Sequence, residues 1–276
     1  MAEIRKINRL EKISREVRKK TLKLLLEAGT GHLGSAMSTL ELLVALYFGK
    51  FLNYKSVQPD WQDKDYFLLS NGHACPTLYV ILARAGYFPA KRLKDSLFKL
   101  NSGLEGHPVR GTLPGIEISS GSLGMGLSVG LGIALGLELK KKKNKVVVMM
   151  SDGEQQEGST WEAVMAAGHY QPANLIAVVD RNGIQIAGKT EENIKLEPLA
   201  EKYRAFGWQT IEINGHDFKE IIPAFKKAWK NKKPTVIIAQ TVPAKGVWSL
   251  EGKENTHHPH LTKEIYEKSL KKINNQ

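Results

Sequence analysis

The chain is nearly free of cysteine: Cys75 stands alone among 276 residues. That excludes a disulfide framework and any zinc site built on thiolates, and it suits a reducing cytoplasm. No uninterrupted apolar stretch is long enough to span a bilayer, so no membrane association is expected. The first residues, Met1 to Lys12, carry charges of both signs. They lack the apolar core of a signal peptide and the acid-poor bias of a transit peptide. There is no internal repeat and no low-complexity linker, so a single domain over residues 1–276 is expected. Acidic side chains are the minority, 28 against 40 Lys and Arg, for a net charge of +12. Such a surplus requires nucleic-acid binding to be weighed. The densest cluster, Lys140 to Lys143 with Lys145, has no interleaved aromatic residues and no recognition motif around it. It reads as a solvated loop, and nucleic acid is not an expected partner. A positive field of this kind favours small anions or an acidic partner surface.

What is present is a 42% hydrophobic composition, enough for a sizeable core. Apolar residues at helical spacing (Ile4, Ile7, Leu10, Ile13, Val17) predict a basic amphipathic helix over 4–28. Helical patterns follow at 36–48, 74–85, 121–139, 159–170, 217–231 and 262–273. Short apolar runs at 65–70, 146–150, 175–179, 208–213 and 235–241 read as strands. Strands alternating with helices predict an α/β fold with a mostly parallel sheet flanked by helices. Residues 101–121 and 242–261 read as long loops, which inside a compact domain are usually functional or disordered.

Two of the strands end on chemistry. Val146 to Met150 runs into Ser151-Asp152-Gly153, and Leu175 to Val179 runs into Asp180-Arg181-Asn182-Gly183-Ile184. One intervening helix would make these strands parallel neighbours, with Asp152 and Asn182 at adjacent carboxyl ends, where ligands sit in open α/β sheets. An Asp carboxylate, an Asn amide oxygen and a backbone carbonyl are hard oxygen donors suited to Mg²⁺ and phosphate oxygens. The plain alternative is an ordinary βαβ unit with a capping Asp and a turn Asn-Gly.

His32, His73, His107 and His216 each directly follow a glycine. Glycine permits sharp turns and close backbone approach, and a loop imidazole there can reach hydroxyls and move protons near neutral pH. His216 precedes Asp217, a candidate N-cap, and reads as structural. His169 reads as packing or surface, and His260 has no assigned role. Gly124-Met125-Gly126 has the wrong spacing for a dinucleotide fingerprint, since the next glycine is Gly130.

The strings Gly31-His32-Leu33-Gly34, Ser70-Asn71-Gly72-His73, Gly106-His107-Pro108, Ser120-Gly121-Ser122-Leu123-Gly124-Met125-Gly126 and Asp152-Gly153 through Glu157-Gly158 occur in the order found in transketolases. From about residue 10 to 261 the chain resembles the N-terminal, diphosphate-binding half of those thiamine diphosphate enzymes. The resemblance implies a single diphosphate-binding (PP-type) domain. It implies Mg²⁺, or Ca²⁺ or Mn²⁺ in its place, on Asp152, the Asn182 side chain and the Ile184 carbonyl. That metal would hold the cofactor diphosphate, with Gly153 admitting it and His73 also touching the cofactor. Gly121 and Leu123 would touch the aminopyrimidine end. His32, His73, His107 and His257 would bind sugar hydroxyls or move protons, with His258 the runner-up for the late-loop position. Glu157 would sit at a subunit interface linking cofactor sites; its plain alternative is a first-turn Glu favoured by the helix dipole. Where the family carries a glycine, this chain has Ser151, which is acceptable provided its Cβ points away from the ligand.

The family's pyrimidine-binding domain, with the glutamate that activates the cofactor, has no counterpart in these residues. The resemblance therefore implies a partner, a C-terminal transketolase subunit carrying that domain, in an α2β2 heterotetramer. The reaction implied is transfer of a two-carbon ketol unit from a ketose phosphate to an aldose phosphate. A 1-deoxyxylulose-5-phosphate synthase-like or 2-oxo-acid dehydrogenase-like subunit would share the metal motif, and an orphan cofactor-binding module stays open. Nucleic-acid binding would show affinity falling steeply with salt.

Overall fold

The computed structural model describes residues 1–94 and 97–275, so Asp95, Ser96 and Gln276 of the expected domain lie outside them. Its helices are α1 (Ala2–Ala28), α2 (Leu33–Ser38), α3 (Leu40–Phe48), α4 (Cys75–Ala85), α5 (Met125–Leu139), α6 (Gly158–Tyr170), α7 (Thr190–Asn193), α8 (Leu199–Ala205), α9 (Phe218–Lys230) and α10 (Lys263–Asn274). Its strands are β1 (Tyr66–Leu69), β2 (Val146–Ser151), β3 (Leu175–Arg181), β4 (Ile184–Gln185), β5 (Gly188–Lys189), β6 (Gln209–Asn214) and β7 (Thr235–Gln240). Five strands form one sheet in the order β1-β2-β3-β7-β6, and every neighbouring pair is parallel. After β3 the chain skips one position to the edge strand β6, and β7 fills the gap. β4 and β5 form a small antiparallel hairpin.

The continuous apolar runs of β2 and β3 follow from burial on both faces. Val147 and Met149 enter a cluster with residues of α1, α3, α4 and α9, such as Leu10, Leu43, Leu78 and Phe225. Val146, Val148 and Met150 enter a second cluster on the other face, with Leu127, Val164 and Tyr203 of α5, α6 and α8. Each fully buried aliphatic side chain contributes about 1.5–3 kcal/mol. This two-sided core fixes the register Met149↔Val178 and Ser151↔Asp180, and so the placement of the strand ends.

The helical stretch expected over 36–48 is two helices. Thr39 Oγ1 bonds the Ser35 carbonyl at 2.8 Å, and Ser38 Oγ leaves the helix to donate to Asp180 Oδ2 at 2.6 Å. Such hydroxyl bonds compete with the helical ladder. The helix expected from Gly121 starts only at Met125, because the preceding residues run along the site. The 242–261 stretch is irregular apart from a short turn at Glu254–Thr256. Asp217 does cap α9, accepting from Lys219 N at 2.8 Å. In the lysine cluster, Lys142 pairs with Asp63 at 2.7 Å while Lys140, Lys141 and Lys143 are exposed. Among the described residues no helix is long and apolar enough to cross a membrane.

Candidate active site

A cavity of about 330 Å³ lies at the carboxyl ends of β2 and β3. His32, His73, His107 and His257 line it, from four different loops. Asp152, Gly153 and Ile184 line it from the strand ends. Gly121 and Leu123 line it from the segment before α5, and Glu157 from the start of α6. Gly121 is needed where it stands: φ is +134°, and a Cβ there would lie 3.2 Å from the His107 ring. Among the described residues the lining contains no Lys or Arg.

The strand-end oxygens are already partly engaged. Asp152 Oδ1 accepts from Gly153 N at 2.7 Å, and Oδ2 accepts from Gly183 N at 2.6 Å and from Arg181 Nη1 at 3.1 Å. A carboxylate offers about four lone-pair directions, so one stays open. Asn182 lies beside the cavity wall instead of on it. Its Nδ2 donates to Asp180 Oδ2 at 3.1 Å, and its Oδ1 accepts from Ile184 N at 2.9 Å. That leaves one lone pair on the amide oxygen. Burial first, then the charge of Asp180, pushes the Asp152 carboxyl up to about 6 despite the bonds that oppose it. A buried carboxylate held this way is a site whose charge a cation would compensate. Gln185 Oε1, on the β4–β5 hairpin, is buried without a partner among the described residues, and a Cβ on Gly153 would come 3.3 Å from the Gln185 Cβ. Both Asn71 amide atoms and Ser120 Oγ are also buried with no hydrogen-bond partner among the described residues. The donor set and these unsatisfied groups fit a polar ligand with a hard cation. Ser151 is among the residues lining the cavity, and its Oγ accepts from the Glu154 N–H at 3.3 Å.

Two residues of the site escaped the sequence reading. Arg181, buried at the end of β3, reaches Asp152, Glu191 and Glu197, and donates to Thr190 Oγ1 at 2.6 Å. Its guanidinium supplies the positive charge facing Asp152. Glu154 is fully buried beneath the segment before α5: it accepts from Ser70 Oγ, from Gly124 N at 2.8 Å and from Ser151 N at 3.2 Å. Burial raises its pKa. It ties three of the sequence strings into one frame.

The histidine side is neutral near pH 7. Burial, then the neighbouring histidines, lowers His32 to about 2, His73 to about 3 and His257 to about 4. Burial also lowers His107. Cys75 is inert, since burial lifts its thiol to about 12, and it donates to the Gly106 carbonyl at 3.2 Å, next to His107. His216 is structural: Nε2 accepts the Val242 N–H at 2.9 Å, so Nδ1 carries the proton and donates to Glu41 at 2.8 Å. His169 and His260 are exposed.

Residues 11–273 match the family described as "Transketolase, thiamine diphosphate binding domain". An apulose-4-phosphate transketolase subunit of Phocaeicola vulgatus is 39% identical over 97% of this chain and 94% of its own length. The 6-deoxy-6-sulfo-D-fructose transketolase subunit of a Clostridium species is 37% identical over 93% of each chain. The crystal structure of Campylobacter jejuni transketolase superimposes with a TM-score of 0.91 at 30% identity, covering 96% of this chain and 42% of that one. This chain thus spans about two fifths of that solved transketolase. The parallel sheet, the helices on both its faces and the matched sequence make this chain a member of the transketolase family, as its thiamine diphosphate-binding domain.

Proposed function

We propose that this chain is the diphosphate-binding subunit of a two-chain transketolase, moving a two-carbon ketol unit from a ketose phosphate to an aldose phosphate. The observation that carries the reading is the convergence of Asp152, Ile184, Gly121 and four loop histidines on one cavity. Asp152, the Asn182 oxygen and the Ile184 carbonyl would hold Mg²⁺, and Gly153 would admit the diphosphate. Thiamine diphosphate, when bound, supplies the electron sink on which the carbon–carbon bond is broken and remade. His32, His73, His107 and His257 orient the sugar hydroxyls. Being neutral, each can accept a hydrogen bond at one ring nitrogen while donating one from the other. Glu157, exposed at the cavity rim, would face the neighbouring subunit.

A cavity lined without Lys or Arg cannot by itself neutralise a sugar phosphate. The phosphate would be met by a partner carrying the pyrimidine-binding domain, and an α2β2 assembly would supply two such partners. The names of the two relatives as transketolase subunits support that division. The test is to titrate thiamine diphosphate with Mg²⁺ and the partner into the wild type and Asp152→Ala. Affinity should fall at least ~10-fold, the loss typical even of an outer-shell metal partner; unchanged affinity rejects the assignment. Pyruvate assayed against a ketose phosphate donor separates transketolase from 2-oxo-acid chemistry.

A further inference from the structure

His32 is surrounded by imidazoles. Its ring centroid lies 5.4 Å from His73, 5.3 Å from His107, 4.9 Å from His257 and 3.9 Å from His258. His32 is 8% exposed, and its Nδ1 is buried with no hydrogen-bond partner among the described residues. A buried nitrogen of this kind is costly unless something satisfies it. His32, His257 and His258 each place one nitrogen within 4.8 Å of the other two. In a tetrahedral site with Zn–N bonds of 2.0–2.1 Å, ligand nitrogens stand roughly 3.3 Å apart. The closure needed is at most about 1.5 Å, within reach of side-chain rotation by the exposed His258.

The late loop is held where it can deliver these ligands. Gly34 sits on α2, two residues past His32, and a Cβ there would be 3.0 Å from the Thr256 carbonyl oxygen. Only a residue without a side chain lets the loop backbone rest on the helix. Thr256 is buried and its Oγ1 donates to the Lys253 carbonyl at 2.9 Å, which fixes the turn just before His257.

We propose that His32, His257 and His258 form a three-imidazole binding site for a divalent transition metal of the zinc class, with a fourth position open to water or ligand. Imidazole suits Zn²⁺ and its neighbours, whereas Mg²⁺ takes oxygen donors. The two ends of the cavity therefore select different cations. The site does not rest on the transketolase reading, because no thiamine diphosphate contact enters it. His32 and His257 line the cavity, so the bound metal borders its lumen.

The experiment uses the untagged, metal-stripped chain with millimolar Mg²⁺ present to occupy oxygen sites, and no thiamine diphosphate. Zn²⁺ is titrated by calorimetry, and Co²⁺ by its visible d–d absorption. One Zn²⁺ per chain and a tetrahedral cobalt spectrum are expected. His257→Ala and His258→Ala should each weaken binding at least ~10-fold. Both lie outside the helices and strands, so their variants test binding without disturbing the sheet. His260→Ala and Asp152→Ala should bind as the wild type does. Sub-stoichiometric zinc, an octahedral cobalt spectrum, wild-type affinity in either loop variant, or loss of zinc in Asp152→Ala would each overturn the site. A negative zinc result leaves the Asp152 titration with thiamine diphosphate untouched, so the two readings fail separately.

Discussion

Acid should weaken this fold through histidines that the native state refuses to protonate. His73 is the clearest case. It is 8% exposed, and burial first, then His257, His107 and His258, lowers its imidazole to about 3. In an unfolded chain the same group titrates near 6.5. Between those values the unfolded state binds a proton that the folded state does not. Stability then falls as pH falls from about 6.5 toward about 3, and the loss stops below that. The slope approaches about 1.4 kcal/mol per pH unit for one histidine, so the His73 contribution reaches roughly 2 kcal/mol at pH 5.

The raw stability curve does not isolate this effect. Burial raises the pKa of Asp152, Asp180 and Glu154, and their sign is opposite: the fold takes up their protons before the unfolded chain does. The informative quantity is the difference between wild type and His73→Asn, measured by urea unfolding from pH 7.5 to 5 without metal or cofactor. Whatever the variant loses at pH 7.5, the gap should move by about 2 kcal/mol in its favour by pH 5. Curves that stay parallel would show that the histidine wall is not held neutral by the fold.

Replacing the buried cation by Arg181→Met leaves Asp152 facing no positive charge, and breaking such a pair costs about 3–5 kcal/mol. Millimolar Mg²⁺ should then raise the melting temperature of the variant more than that of the wild type; an equal rise would remove Asp152 as a cation site. Tyr203→Phe deletes a hydroxyl that donates to Gln155 Oε1 at 2.7 Å. The stranded acceptor should cost about 1–3 kcal/mol in thermal or urea unfolding, and a neutral result would show that water replaces it.

The sheet was readable because burial on both faces writes itself into β2 and β3 as unbroken apolar runs, and turn residues mark where each ends. Three members of the histidine wall, His32, His73 and His107, were readable because each follows a glycine in its own short string, whereas His257 lies in Thr256-His257-His258-Pro259 with no glycine beside it. Arg181 and Glu154 were not. In Asp180-Arg181-Asn182 the arginine reads as a loop charge, and only the fold brings Glu191, Glu197 and Asp152 around it. Glu154 reads as one polar residue in a polar run, yet Ser70 and Gly124, distant in sequence, donate to it. The break between α2 and α3 is similar. Apolar periodicity runs straight through Ser38 and Thr39, and the hydroxyl bonds that end the helix leave no trace in it. What a sequence pattern registers is burial and turn chemistry; long-range polar pairing has no period.

Arg181 also explains how the strand-end oxygens can be buried at all before any metal arrives. Three carboxylates, Asp152, Glu191 and Glu197, share its one guanidinium, and the most buried of them, Asp152, keeps one lone-pair direction open. An arriving Mg²⁺ need not displace the arginine to find a ligand, but it would meet an already compensated carboxylate and gain less from it. A dianionic diphosphate end arriving with the metal changes that balance, because each anion then has a cation of its own. Metal and diphosphate should therefore bind this chain cooperatively: Mg²⁺ alone weakly, and the pair together at least several-fold more tightly than the product of their separate affinities. Calorimetric titration of Mg²⁺ with and without inorganic pyrophosphate measures the coupling. Equal Mg²⁺ affinity in both arms, after subtracting the affinity of pyrophosphate for Mg²⁺ in solution, would show that Arg181 does not hold the site in a compensated state.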